Sequence, residues 1–222
     1  MNRVLSFVAL DFRLIKPYIK SILLLLILGI GMGFGFKSVT TLSTFFMMSL
    51  VLVLPYPFTI SEKNGLDMLY STLSLNRTTV VRGRYLFALA LGVLYVVTTF
   101  LCSVVLARII GVEFIAGETA TVLCVLSSVF FVIIALQYPI YFKYGYTKAR
   151  FLALGPMFIV FLGFIMAPTI ASLFNHDFSW ESVLANLPEN PLLICVIAVV
   201  VGLVILGLSC VLSGRIYGKK DI

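Results

Sequence analysis

The chain has 222 residues, of which 61% are hydrophobic and only 11% charged, with 16 Lys and Arg against 9 Asp and Glu and a mean hydropathy of +1.14. That composition excludes a soluble domain. Runs of about 20 apolar residues, each able to cross a hydrocarbon core of roughly 30 Å, recur along the chain, and hydropathy of this kind specifies a polytopic helical membrane protein. The basic excess is not interleaved with aromatics as a nucleic-acid surface would be. In a membrane protein it marks loops beside anionic lipid.

Residues 1–20 precede the first span and read as an amphipathic interfacial helix. Val4, Leu5, Phe7, Val8, Phe12, Leu14 and Ile15 share one broad face, with Arg3, Ser6, Arg13 and Lys16 opposite. That pattern suits a helix lying in the headgroup plane, its bases toward anionic lipid, until Pro17 breaks it or turns it into the membrane. Asp11 is the misfit, because it projects near the centre of the apolar face. Either it tips to water or pairs with a nearby Lys or Arg, or it forms an ion pair with a base of another segment and pins the helix to the bundle.

The first span is expected over 21–36. Its apolar run is too long, and its glycines too poor a cleavage site, for a removable signal peptide. Gly29, Gly31, Gly33 and Gly35 lack the spacing and the preceding strand of a phosphate loop. They form two small-xxx-small pairs that allow close helix packing in lipid. The second span covers 39–60, with a kink expected near Pro55 and Pro57.

Residues 61–85 then form the longest polar break, with Glu62 and Asp67 against Lys63, Arg77, Arg82 and Arg84. Gly65 allows a turn, 66–73 a short helix with Leu66, Leu69, Tyr70 and Leu73 on one side, and Ser74 and Asn76 a turn and N-cap. The third span is expected over 85–110, with Arg82 and Arg84 at its boundary. Arg108, at its far end, snorkels or pairs with Glu113 or Glu118.

The fourth span covers 119–142. Within it Pro139 frees a carbonyl that Gln137 or a neighbour could satisfy. The fifth, 151–174, contains Pro156 and Pro168 and is expected to bend. Residues 175–191 make a second break, with Trp180 at headgroup level and His176 beside Asp177 as an exposed loop rather than a metal site. The sixth span covers 192–212. Cys102, Cys124, Cys195 and Cys210 fall in apolar runs with no CxxC pair and read as small buried hydrophobes.

Six spans put both termini on one side. All but Lys37 and Arg108 of the Lys and Arg residues then share that side, which the positive-inside rule makes cytoplasmic. With a single histidine, no GxSxG elbow and no GxxxxGK[ST] loop, the chain shows no catalytic set and no ATPase site of its own. The expected spans also lack the midplane acids that bind a coupling ion. A borrowed energy source is the economical inference.

The pattern resembles the permease subunits of type-two ABC exporters: an amphipathic helix before the first span, six spans, and a cytoplasmic segment between the second and third. The most telling part is Ser61-Glu62-Lys63-Asn64-Gly65, then Leu69, Ser74-Leu75-Asn76-Arg77 and Val80-Val81-Arg82-Gly83-Arg84-Tyr85. It is similar to small bacterial members, which often carry a proline where this chain has Ser74. In size and style the chain looks like a permease of the phenol-soluble-modulin exporter type.

The resemblance implies an all-α, six-helix transmembrane bundle forming a single domain over 1–222, multi-pass in the bacterial plasma membrane, with a cytoplasmic coupling loop over 61–84. It implies export of a hydrophobic or amphipathic, peptide-like substrate, an antimicrobial or toxic peptide among the candidates, and a second permease copy or paralogue. It further implies a separate ATP-binding cassette subunit that holds ATP and Mg²⁺, so that this chain binds no cofactor itself. Glu62, Asn64, Gly65, Leu66, Asp67, Leu69 and Tyr70 would contact that subunit, with Asp11 and Lys16 bracing the same corner. The alternative function is a membrane immunity or sensing protein that binds a toxic peptide without transport; the alternative reading of the polar segment is a solvated loop that merely sets topology.

Overall fold

The computed structural model describes residues 3–66, 76–112, 114–173 and 190–219. Asp67, Leu69, Tyr70, Ser74 and Glu113 lie outside the described residues, as do His176 and Trp180 of the expected 175–191 loop. The described residues are helical, without strands. In chain order they form α1 (Arg3–Ile15), a 3-10 turn (Lys16–Tyr18), α2 (Ile19–Gly35), α3 (Val39–Val53), α4 (Tyr56–Lys63), α5 (Arg77–Ile110), α6 (Ala116–Tyr144), α7 (Tyr146–Leu173) and α8 (Pro191–Gly218).

Five stretches among the described residues are long and apolar enough to cross a membrane: Val4–Gly35, Val39–Lys63, Arg77–Ile110, Ala116–Tyr144 and Leu192–Gly218. They coincide with five of the six expected spans. The place of the remaining one, 151–174, is taken by α7, which runs unbroken past Pro156 and Pro168.

The N-terminal segment differs from expectation. Pro17 does not break the chain. It is the second residue of the 3-10 turn, and Ile15 and Ile19 on either side keep right-handed helical dihedrals. A missing N–H is harmless at the start of a helical turn, so α1 leads into α2 as one helical run. Part of the apolar face of α1 is turned to protein, while Ser6, Arg13 and Lys16 opposite it stay exposed. Phe7, Val8, Asp11 and Ile15, spaced i, i+1, i+4 and i+8, are buried as α1 packs on α5 and α4.

Pro55 and Pro57 do interrupt the second span. Pro55 precedes α4 and Pro57 occupies its first turn, so α3 and α4 are separate helices in one apolar run. Three helix starts, those of α3, α5 and α8, are capped by side chains: Ser38 Oγ accepts from Thr41 N–H at 3.2 Å, Asn76 Oδ1 from Thr78 N–H at 3.3 Å and Asn190 Oδ1 from Leu192 N–H at 3.2 Å.

The most extensive helix pairing is α6 with α8. It is tied where Pro139 removes the N–H that would have bonded the Ala135 carbonyl. Ser209 Oγ of α8 donates to that carbonyl at 2.5 Å, while Gln137 Nε2 donates to the Ala153 carbonyl of α7 at 2.9 Å. The neighbour that satisfies the freed group is therefore on another helix.

The glycines of α2 divide by face. A Cβ on Gly29 would stand 2.6 Å from the Phe46 ring, and one on Gly33 would stand 2.9 Å from Leu42 and from Leu106; Gly31 and Gly35 have nothing within 4 Å. The first pair therefore sets the approach of α2 to α3 and α5, and the second faces outward.

These packings define two ends. The base gathers the start of α1, α4, the start of α5, the end of α6 and the end of α8. The opposite end carries the 36–38 turn between α2 and α3, together with the end of α5 and the start of α6. With 34 residues, α5 is about 51 Å long at 1.5 Å per residue, well beyond a hydrocarbon core of roughly 30 Å. Its surplus at the base carries Arg77, Arg82 and Arg84.

Candidate functional site

The base is organised by one buried cation. The α5 sequence places Val80, Arg84, Phe87, Ala88 and Leu91 on one stripe, all buried. Arg82, two residues away and so on another face, is exposed. Arg84 is 2% exposed and Asp11 0%, and Arg84 Nη1 lies 3.3 Å from Asp11 Oδ1. Arg84 Nη2 donates to Ser61 Oγ on α4. The guanidinium also lies 4.7 Å from the Phe58 ring centroid and 5.6 Å from that of Phe7.

Neither Asp11 carboxylate oxygen has a hydrogen bond among the described residues, so charge and ring contacts, rather than aligned hydrogen bonds, hold the pair. A buried ion pair of this kind adds little net stability. Losing one member, however, leaves an uncompensated buried charge, typically at about 3–5 kcal/mol. Close packing over the same contact is enforced by Gly83, where a Cβ would come within 2.5 Å of the Phe7 ring.

Glu62, one residue past Ser61, reaches a different helix. Its Oε2 accepts from the Tyr146 N–H at 2.6 Å and the Thr147 N–H at 2.9 Å, so the carboxylate caps the first turn of α7 from outside. A helix N-terminus offers unpaired N–H groups and a partial positive charge, and a carboxylate there is favourable. Gly145 makes the approach possible. Its φ is +76°, and a Cβ there would stand 3.2 Å from Glu62 Oε2, so any side chain would be both strained and crowded.

Two further links close the base. Arg77 Nη1 donates to the Tyr217 and Gly218 carbonyls at 3.3 and 3.0 Å, where a cation meets the negative end of α8. The Tyr85 hydroxyl lies 2.7 Å from Ser209 Oγ and 2.8 Å from Ser213 Oγ. A cavity of about 260 Å³ opens between these groups, with Ser61, Glu62, Arg84, Tyr141, Tyr146 and Lys148 on its walls.

Of the residues singled out from the sequence, Asp11 and Glu62 meet at this corner through Ser61 and Arg84. Asn64 and Gly65 are exposed beside it, and Leu66 is half-buried against the main core. Gly65 has φ +60°, which the turn requires. Lys16 is exposed in the 3-10 turn, and the corner does not include it. Sequence reasoning placed Arg84 at a boundary and missed its burial. The stripe of Val80, Phe87, Ala88 and Leu91 around it was the available signal. Gly83, Gly145, Tyr85, Ser209 and Ser213 were missed as well.

Among the described residues no group of three or more His, Cys, Asp or Glu side chains could hold a metal ion. The arrangement joins Ser61 and Glu62 of α4 to α1, α5 and α7. No curated protein and no solved structure matches the chain. Residues 6–218 match the family model described as ABC-2 family transporter protein; the match covers nearly the whole chain, which therefore belongs to the ABC-2 transporter family as a multi-pass membrane protein.

Proposed function

We propose that this chain is the permease subunit of an ATP-driven exporter. It has six spans, with α7 among them, and both termini and residues 61–85 face the bacterial cytoplasm. Paired with a second copy or a paralogue, it forms the pathway for a hydrophobic or amphipathic substrate, a peptide of the kind that phenol-soluble-modulin exporters carry. A separate ATP-binding cassette subunit binds ATP and Mg²⁺ and docks on Asn64, Gly65, Leu66, Asp67, Leu69 and Tyr70. The distribution of Lys and Arg supports this orientation, since all but Lys37 and Arg108 then fall on the cytoplasmic side.

The observation that carries the reading is that Ser61 and Glu62, at the root of the docking segment, are each bonded to another helix. Force on the segment reaches α1 and α5 through Arg84 and Asp11, and reaches α7 through Glu62. The bracing role falls to Asp11 with Arg84.

The test is co-purification of the ATPase subunit with the chain from membranes. The wild type retains it, and Leu69→Asp with Tyr70→Ala releases it while the permease remains folded. Retention by the double variant would overturn the docking assignment. A wild type that never carries an ATPase would favour a peptide-binding immunity or sensing protein.

A further inference from the structure

A second cavity lies on the outside of the bundle, in the groove where the α1–α2 run passes α5. It measures about 350 Å³. Its length is mostly apolar, formed by Ile19, Ile22 and Leu26 from one side and Leu91 and Leu94, with Tyr95 and Thr98, from the other. Ile19 and Leu94 are more than half exposed, so the groove opens to the surroundings of the bundle rather than to its interior. Arg13 and Lys16 line the end nearest the N-terminus, and no acidic residue lines any part of it. Both bases are exposed, and neither has a carboxylate within ion-pair distance among the described residues.

We infer that this groove binds one anionic phospholipid, with an acyl chain along α2 and α5 and the phosphate against Arg13 and Lys16. Three observations argue for that occupant. An apolar trench in a membrane helix bundle is filled by whatever the surrounding phase supplies, and that phase is hydrocarbon. The two unmatched positive charges at one end select an amphiphile with a negative head. The dimension also fits: from Lys16 to Leu26 the helix advances about 15 Å at 1.5 Å per residue, half of a hydrocarbon core of roughly 30 Å, which is the depth of one leaflet.

A neighbouring cavity serves as an internal control. Farther along the same two helices a space of about 200 Å³ is lined by Ile30, Phe34, Leu101, Val105 and Ile109 without a charged residue. It accepts hydrocarbon with no preference for a headgroup. The bound lipid would lie over the α1–α5 seam, beside Phe12, which packs edge-on against Phe87 at 4.9 Å.

The experiment is native mass spectrometry of the full chain in a neutral detergent, titrated with phosphatidylglycerol or phosphatidylcholine of identical acyl chains. The first bound lipid should favour phosphatidylglycerol by roughly thirtyfold at most, the range expected for two bases near an anionic head. Arg13→Gln with Lys16→Gln should abolish that preference while leaving lipid binding as such. Leu94→Trp, which fills the trench, should weaken the first binding event for both lipids. Thermal unfolding of each variant in lipid-free detergent should match the wild type, which separates loss of the site from loss of the fold. Equal binding of the two lipids by the wild type, an unchanged preference in the double variant, or a tightly held peptide mass in place of lipid would overturn the assignment.

Discussion

The two ends of the bundle both carry polar groups and use them differently. At the base, side chains reach across the sequence: Asp11 to Arg84, Arg84 to Ser61, Glu62 to Tyr146 and Thr147, Arg77 to Tyr217 and Gly218, and Tyr85 to Ser209 and Ser213. At the opposite end most polar side chains fold back on their own helix. Ser43 donates to the Val39 carbonyl, Thr119 to that of Ile115 and Thr121 to that of Gly117. Cross-helix polar contact there is limited, among the described residues, to long approaches such as Ser43 to Ser103 at 3.5 Å and Cys195 to Thr121 at 3.9 Å. Among the described residues, the base is tied by side chains across helices and the far end is held chiefly by packing.

The largest way to break this contrast is to remove one member of the buried ion pair. Arg84→Ala or Asp11→Ala should each lower stability by about 3–5 kcal/mol, read as an earlier midpoint in detergent-based unfolding. Replacing both together, as Asp11→Leu with Arg84→Met, should recover most of that loss, because no unpaired charge is left behind. Equal damage from single and double variants would show that the two residues act separately.

Next come the glycines. Gly83→Ala pushes a methyl against Phe7 and should destabilise by about 1–3 kcal/mol. Gly31→Ala, on the open face of α2, should be neutral or stabilise by up to about 1 kcal/mol through helix propensity. The same unfolding assay reads both, and a loss at Gly31 equal to that at Gly83 would mean that the outer face of α2 is packed after all.

Smaller still, Glu62→Gln weakens the cap of α7 and should remove about 1 kcal/mol. Its functional effect should be out of proportion to that: the ATPase still co-purifies, but substrate transport per ATP hydrolysed falls. Unchanged coupling would remove Glu62 from the path of force. At the opposite end, Ser43→Ala should stay within about 0.5 kcal/mol, since only a local bond and a long contact are lost.

Much of the helical layout was legible in the sequence because apolar runs and caps are local signals. Asn76, the expected N-cap, does start α5. Asp11 stood out because a carboxylate in an apolar stripe needs an explanation. Its partner could not be chosen from sequence, since Arg82 and Arg84 differ only in which face of α5 they occupy, and only packing decides that. What covers the apolar face of α1 was left open for a related reason. An amphipathic pattern shows that one face is buried, and it does not say whether lipid or another helix buries it. The freed Ala135 carbonyl was foreseeable from Pro139, but its donor, Ser209, sits more than seventy residues away. The reach of Glu62 to the start of α7 left no pattern at all in the residues around it.

The central claim is that the corner formed by Ser61, Glu62 and Asn64 faces the cytoplasm, where an ATPase can push on it. The direct measurement places one cysteine at the exposed Asn64, in a chain whose Cys102, Cys124, Cys195 and Cys210 are replaced by alanine, and adds a membrane-impermeant thiol reagent. Asn64→Cys should remain unlabelled in intact cells and be labelled after the membrane is permeabilised. Labelling in intact cells would put the corner on the outside and contradict the account.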